Sequence, residues 1–184
     1  MDGEIGVLPV LAVPGYGGSP LPHWQRLWAE SDGISVIEQV DWQRPDLEAW
    51  AGVLEDAVAA SGPCVLVAHS LGCLTVAHWA SRTMCDVRGA LLVAPTDAEA
   101  PGFSVPATGF APVPLRQLSF ASVVAASLDD PVVSPSRARA FAAAWGAQFV
   151  DLGACGHVDA SDGFGPWPQG EALLADVRRG VVRR

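Results

Sequence analysis

Apolar residues gather along the 184-residue chain in short runs at 7–13, 34–40, 64–68, 89–94, 120–126 and 147–152, rich in Val, Ile and Leu and mostly without alternation. A strand with one wet face alternates apolar and polar positions, so unbroken runs predict strands covered on both faces. Between the runs, at 22–30, 46–60, 71–82, 136–145 and 169–179, apolar positions recur at helical spacing. Strand and helix thus alternate, which predicts an α/β fold: a mainly parallel sheet of about six strands with helices on both faces. No linker splits residues 1–184, which read as a single domain.

Local signals place several element ends. Asp46 is suited to cap the helix that Pro45 introduces, Gly62-Pro63 stops that helix, and Pro135 fits the first turn of the next one. One connection breaks the rhythm. Residues 96–118, "TDAEAPGFSVPATGFAPVPLRQL", form a long proline-rich stretch after a strand end, the usual place of a lid or a binding loop, with a plain surface excursion as the alternative.

Half of the residues are apolar, enough for the core of one domain. The start, Met1 to Glu4, carries acid and no Lys or Arg, and Pro9 interrupts the apolar run that follows. Neither a signal peptide nor a membrane span is expected, and the protein reads as cytoplasmic. With 11 Lys and Arg against 20 Asp and Glu, the formal charge is −9. Nucleic acid and membrane surfaces are therefore not expected as partners, because both are bound through clustered cations. Arg178, Arg179, Arg183 and Arg184 make a small basic end, read as the solvated last turn of a helix. The four cysteines, at 64, 73, 85 and 155, lack zinc-site spacing, so no metal is expected; Cys64 and Cys73 read as reduced core residues.

The candidate chemistry lies at the seam "CVLVAHSLGCLTVAHWA", residues 64–80, where a buried strand meets a helix and Ser70 stands between small residues. Ala68-His69-Ser70-Leu71-Gly72 is similar to the G-x-S-x-G nucleophile elbow, with alanine in place of the first glycine. A serine hydroxyl is a weak nucleophile until a general base takes its proton and a third group fixes the base's tautomer. Asp129 and Asp130 follow one strand run and His157 follows another, so Ser, Asp and His all fall at C-terminal strand ends, where open parallel sheets bind ligands.

These residues bring the chain to a family resemblance. The segments "VPGYGGSPLPHWQRLW", "LVAHSLGC", "LLVAP", "DDPVVSPSRA" and "CGHVDASDGFGPWPQG" resemble the α/β-hydrolases, in particular the small serine hydrolases related to retinoblastoma-binding protein nine and bacterial YdeN. The resemblance implies a three-layer sandwich without a cap domain, Ser70 as nucleophile, His157 as base and Asp130 as orienting acid, with Asp129 the alternative acid. It also implies an oxyanion hole formed by the N–H groups of Leu71 and, in the glycine-rich loop 14–19, Tyr16. His23 and Trp24 are candidates for the substrate mouth or for opening the first helix, and Trp167 for a pocket wall or a core position. His69 and His78 read as packing residues.

The implied activity is hydrolysis of a small-molecule ester through an acyl-Ser70 intermediate, with no cofactor. Without a cap, the pocket is expected to be shallow and suited to short acyl chains. A thioesterase or lyase using the same residues, or a binding protein that retains the hydrolase shell, are the alternatives. Nothing in the sequence fixes the oligomeric state.

Overall fold

Six strands, β1 (Val10–Val13), β2 (Ile34–Val36), β3 (Cys64–His69), β4 (Val87–Val93), β5 (Ser122–Ala126) and β6 (Gln148–Asp151), pair in the order β2-β1-β3-β4-β5-β6, every pair parallel. They belong to a computed structural model that describes residues 8–30, 33–84, 86–180 and 182. Met1 to Glu4, Val7, Cys85, Arg183 and Arg184, which enter the sequence reading, lie outside the described residues. The helices are α1 (Trp24–Trp28), α2 (Leu47–Ser61), α3 (Leu71–Ala80), α4 (Pro135–Trp145) and α5 (Pro168–Arg178).

Because successive side chains of a strand point to opposite faces, each inner strand feeds two cores. Leu66 and Ala68 of β3 pack with Trp50, Leu54, Leu74 and Phe141 from α2, α3 and α4, whereas Val65 and Val67 pack with Trp24, Trp28, Leu174 and Val177 from α1 and α5. The result is the expected three-layer sandwich. Strands β1, β3 and β5 are buried along their whole length, while the edge strands β2 and β6 are half-buried or exposed. The alternation Ile34-Ser35-Val36 fits the one wet face of β2, whereas β6, Gln148-Phe149-Val150-Asp151, carries no alternation that would mark its exposure. No helix among the described residues is long and apolar enough to cross a membrane.

The helix starts follow the local chemistry. Asp46 accepts a hydrogen bond from the Ala49 N–H at the head of α2, and Ser134 accepts one from the Arg137 N–H ahead of Pro135 in α4. The 96–118 segment forms neither strand nor helix. Its later part is anchored by Phe110, Val113 and Leu118, which enter the core, and by His78, whose Nε2 lies 3.0 Å from the Phe110 carbonyl.

Candidate active site

Parallel pairing in register brings five strand ends to one rim. Val13 lies beside Ala68, His69 beside Val93, Val93 beside Ala125, and Ala126 beside Asp151. The segments leaving these ends carry the glycine-rich loop, Ser70, Thr96, Asp130 and His157 respectively. Residues 144 positions apart are gathered by this alignment, from Val13 at the end of β1 to His157 beyond β6.

Ser70 is the one residue between β3 and α3, and its backbone is bent to φ 55° and ψ −124°. A side chain rarely adopts such a conformation, which costs about 1–3 kcal/mol and persists only where the surroundings enforce it. Here Ser70 N–H donates to the Val93 carbonyl at 3.0 Å and the Ser70 carbonyl accepts from Cys73 N–H at 3.0 Å. The bend also draws α3 against β1. A Cβ on Gly72 would lie 2.2 Å from the Val13 carbonyl oxygen, so glycine is required there. Ala68, fully buried, tolerates its methyl group because the group belongs to the core facing α2 and α3.

Ser70 Oγ lies 2.8 Å from His157 Nε2, and His157 Nδ1 lies 2.9 Å from Asp130 Oδ2. With the carboxylate on Nδ1, that nitrogen carries the proton and Nε2 offers a lone pair to the serine hydroxyl. The Asp130 side chain is fully buried, and its other oxygen accepts the Val132 N–H at 2.9 Å. Asp129 is not the partner of His157. Its Oδ1 instead accepts from Gly156 N–H at 2.8 Å and from the Ser127 hydroxyl at 2.7 Å, and these bonds hold its carboxyl below the usual range.

The loop carrying His157 is tied down from every side. Its N–H donates to Asp162, the N–H of Cys155 donates to Ser127 Oγ, and the carbonyl of Val158 accepts from Trp24 Nε1 at 2.9 Å. His69 Nε2 lies 2.8 Å from the His157 carbonyl oxygen, so this nitrogen bears the proton and donates. Burial, with His157 and His23 nearby, pushes the His69 pKa well down, while its bond to the carbonyl opposes this. Burial lowers His23 to about 4, opposed by Asp159 and assisted by His157 and Arg26. Both rings are therefore neutral at physiological pH.

The glycine-rich loop passes directly behind Ser70. A Cβ on Gly15 would lie 2.8 Å from the Ser70 Cβ and 3.1 Å from the Leu71 nitrogen. Gln25, fully buried at the start of α1, fixes this arrangement: its Nε2 donates to the carbonyls of Val13 and Val67, and its Oε1 accepts from Ser19.

Ser70 and His157 open onto a cavity of about 960 Å³, which Tyr16 and His23 also line. Leu21, Phe103, Val105 and Val132 supply much of its apolar wall. Residues 99–105 of the long loop form one wall of it, where a cap domain is missing, so the space exceeds what a short acyl chain alone would fill. Trp24 and Trp167 are corrected as candidate wall residues. Neither lines the cavity; they pack on each other at 5.2 Å between ring centroids and belong, with Trp28, to the core beneath. Large apolar rings next to a strand end fill the layer under the rim before they reach solvent. His23 does line the cavity, and it also opens α1, its Nδ1 accepting from Gln25 N–H.

Sequence reasoning did not find Thr96, Gln25, Ser127 or Asp162. Polar residues at strand ends are common, and only their partners distinguish these. Thr96 Oγ1 stands 2.8 Å from Ser70 Oγ.

A parallel sheet of this order with a strained serine at the β3 rim and a histidine and an aspartate in line defines an α/β-hydrolase. The chain belongs to the serine hydrolase family, which it matches over residues 10–176. It is similar to a YdeN-like hydrolase from Pectobacterium atrosepticum, at 30% identity over 96% of this chain and 93% of that one, with a TM-score of 0.85. The ydeN gene product of B. subtilis shares 24% identity over 92% and 98% of the two chains, TM-score 0.75. A thermophilic esterase from Thermogutta terrifontis shares the fold at 20% identity over 95% and 89%, TM-score 0.61. No curated protein matches the chain.

Proposed function

We propose that this serine hydrolase is a carboxylesterase acting on uncharged esters of medium acyl length, with Ser70, His157 and Asp130 as its catalytic triad. The observation that carries the reading is the unbroken hydrogen-bonded row from Asp130 through His157 to a serine in a strained elbow. Ser70 attacks the ester carbonyl as its proton passes to His157 Nε2; the imidazolium, steadied by Asp130, then protonates the leaving alcohol. Water, activated by the same imidazole, releases the acid.

The negative charge that forms on the carbonyl oxygen needs donors already in place. The Leu71 N–H, first of α3, has no acceptor within its own helix. In the facing loop, the N–H groups of Gly17 and Gly18 are committed to Trp42 and Gly15. The Tyr16 N–H, which follows the first glycine of that loop, is the partner of Leu71 that the family resemblance implies for the oxyanion hole.

Two features favour the substrate class. The cavity lining combines apolar side chains with room beyond a short acyl group, and among the described residues it contains no Lys or Arg. Asp97, Glu99, Asp130 and Asp159 all contribute to it, so a substrate carboxylate would meet repulsion. The test is a series of p-nitrophenyl esters. Activity is expected to peak between butanoyl and octanoyl chains, to fall for an ester with a free carboxylate, and to vanish in Ser70→Ala. Equal inactivity of wild type and Ser70→Ala on every ester, with no labelling of Ser70 by a fluorophosphonate, would overturn the reading.

A further inference from the structure

The structure assigns a fourth catalytic residue, Thr96, as a fixed hydrogen-bond donor to the nucleophilic oxygen; this rests on the hydrolase reading of Ser70. Ser70 Oγ has two polar neighbours, His157 Nε2 and Thr96 Oγ1, each at 2.8 Å. The direction of the second bond follows from proton counting. Asp130 holds the imidazole proton on Nδ1, so Nε2 is an acceptor and takes the one proton Ser70 has. Ser70 Oγ has then nothing left to donate, and the proton between the two hydroxyls is that of Thr96.

Thr96 is only 4% exposed yet lines the cavity, and its hydroxyl is bonded to Ser70 Oγ alone among the described residues. The backbone is shaped to put it there. After β4 the chain turns through Ala94 at φ 47°, a conformation alanine rarely adopts, held by an Ala94 N–H bond of 2.8 Å to the Ala125 carbonyl. On the far side of Thr96, Asp97 N–H donates to the Val132 carbonyl and its carboxylate pairs with Arg137. Both flanks are pinned, and the threonine between them faces the nucleophile.

Such a donor acts in both halves of the reaction. During acylation, the Ser70 O–H bond breaks, its proton goes to His157 Nε2, and an oxygen lone pair forms the new bond to the acyl carbon while the carbonyl π pair moves onto the carbonyl oxygen. Thr96 keeps its own proton throughout and bonds the lone pair not used in attack, which steers the remaining one toward the cavity. A hydrogen bond to an oxygen gains strength as negative charge grows on it, so the bond is stronger to the developing alkoxide than to the alcohol. During deacylation, Ser70 Oγ departs as the acyl carbon–oxygen bond breaks, and the same donor stabilises it until His157 returns a proton.

The experiment compares Thr96→Val, which keeps the shape, and Thr96→Ala with Thr96→Ser, which keeps the hydroxyl. The readouts are the second-order rate of Ser70 labelling by a fluorophosphonate and the kcat and KM for p-nitrophenyl butanoate. Loss of the hydroxyl is expected to slow labelling and lower kcat about 10- to 100-fold with KM little changed, whereas serine stays within about threefold of wild type. Should Thr96→Val fail to fold, Thr96→Ala supplies the comparison. Labelling of the hydroxyl-free variants at the wild-type rate would overturn Thr96 while leaving the hydrolase reading intact. An equal loss in Thr96→Ser would show packing rather than hydroxyl donation and overturn it too. A wild-type protein unlabelled at Ser70 would overturn both.

Discussion

Asp129 and Asp130 are adjacent in sequence, yet Asp130 Oδ2 lies 2.9 Å from His157 Nδ1 while Asp129 Oδ1 lies 2.8 Å from the backbone nitrogen of Gly156. One carboxylate orients the imidazole; the other holds the loop that carries it. Asp130→Asn would present either an amide donor or a weaker acceptor to Nδ1 and disturb the tautomer, so kcat is expected to fall about 10³- to 10⁴-fold. Asp129→Asn keeps an oxygen for the Gly156 N–H and is expected to lose only a few-fold, whereas Asp129→Ala leaves that exposed N–H to water and is expected to loosen the loop with only a small loss of stability. Ester assays and denaturant melts of the three variants check the ranking; a larger kcat loss in Asp129→Asn than in Asp130→Asn would reverse the assignment.

Acid is expected to unfold the protein through its buried histidines. The folded pKa of His23 lies at about 4, below its ordinary 6.5, and that of His69 is lowered in the same direction. Between these values the unfolded chain binds more protons than the native one, so stability is intact above pH 6.5 and declines as pH falls toward 4. For His23 the full loss is roughly 3 kcal/mol. Urea midpoints measured across this window in wild type and His23→Gln check the point: the variant should show a shallower decline.

Gln25 is fully buried and serves two backbone carbonyls and one hydroxyl. Gln25→Leu has a similar size but leaves those groups unsatisfied, and a loss of about 2–4 kcal/mol is expected. Because Val13 and Ser19 flank the glycine-rich loop, activity should fall at temperatures where the variant is still folded. Circular dichroism melts and ester turnover at low temperature separate the two effects.

Gly15 illustrates a tighter constraint. A methyl group there would press on Ser70 Cβ at 2.8 Å and on the His69 carbonyl oxygen at 3.0 Å. Neither neighbour is the end of a flexible side chain. Gly15→Ala is expected to displace the loop from the nucleophile and lower kcat at least tenfold with a smaller effect on stability. A fluorophosphonate labelling time course alongside a melting curve reads both.

The layers and the available chemistry follow from local patterns along the chain. Uninterrupted apolar runs produce strands buried from both sides, helical spacing covers them, and five of the six runs and all five helical segments coincide with elements to within a few residues. For β2 the run 34–40 shortens to Ile34–Val36, because an edge strand pairs on one side only and its ladder with β1 ends at Val36. Ser70 and His157 were legible because glycine and small residues mark the sharp turns that expose them. What depends on the distance between remote segments emerges only from the packed molecule. Whether 129 or 130 meets the imidazole is a matter of which carboxylate points across the rim, and both residues share one turn. The tryptophans at 24 and 167 went to the core because rings of that size seal the gap between α1, α5 and the sheet. Thr96 and Gln25 carry no local signature: a hydroxyl or an amide acquires a role only when folding sets it within hydrogen-bond reach of the nucleophile or of a strand-end carbonyl.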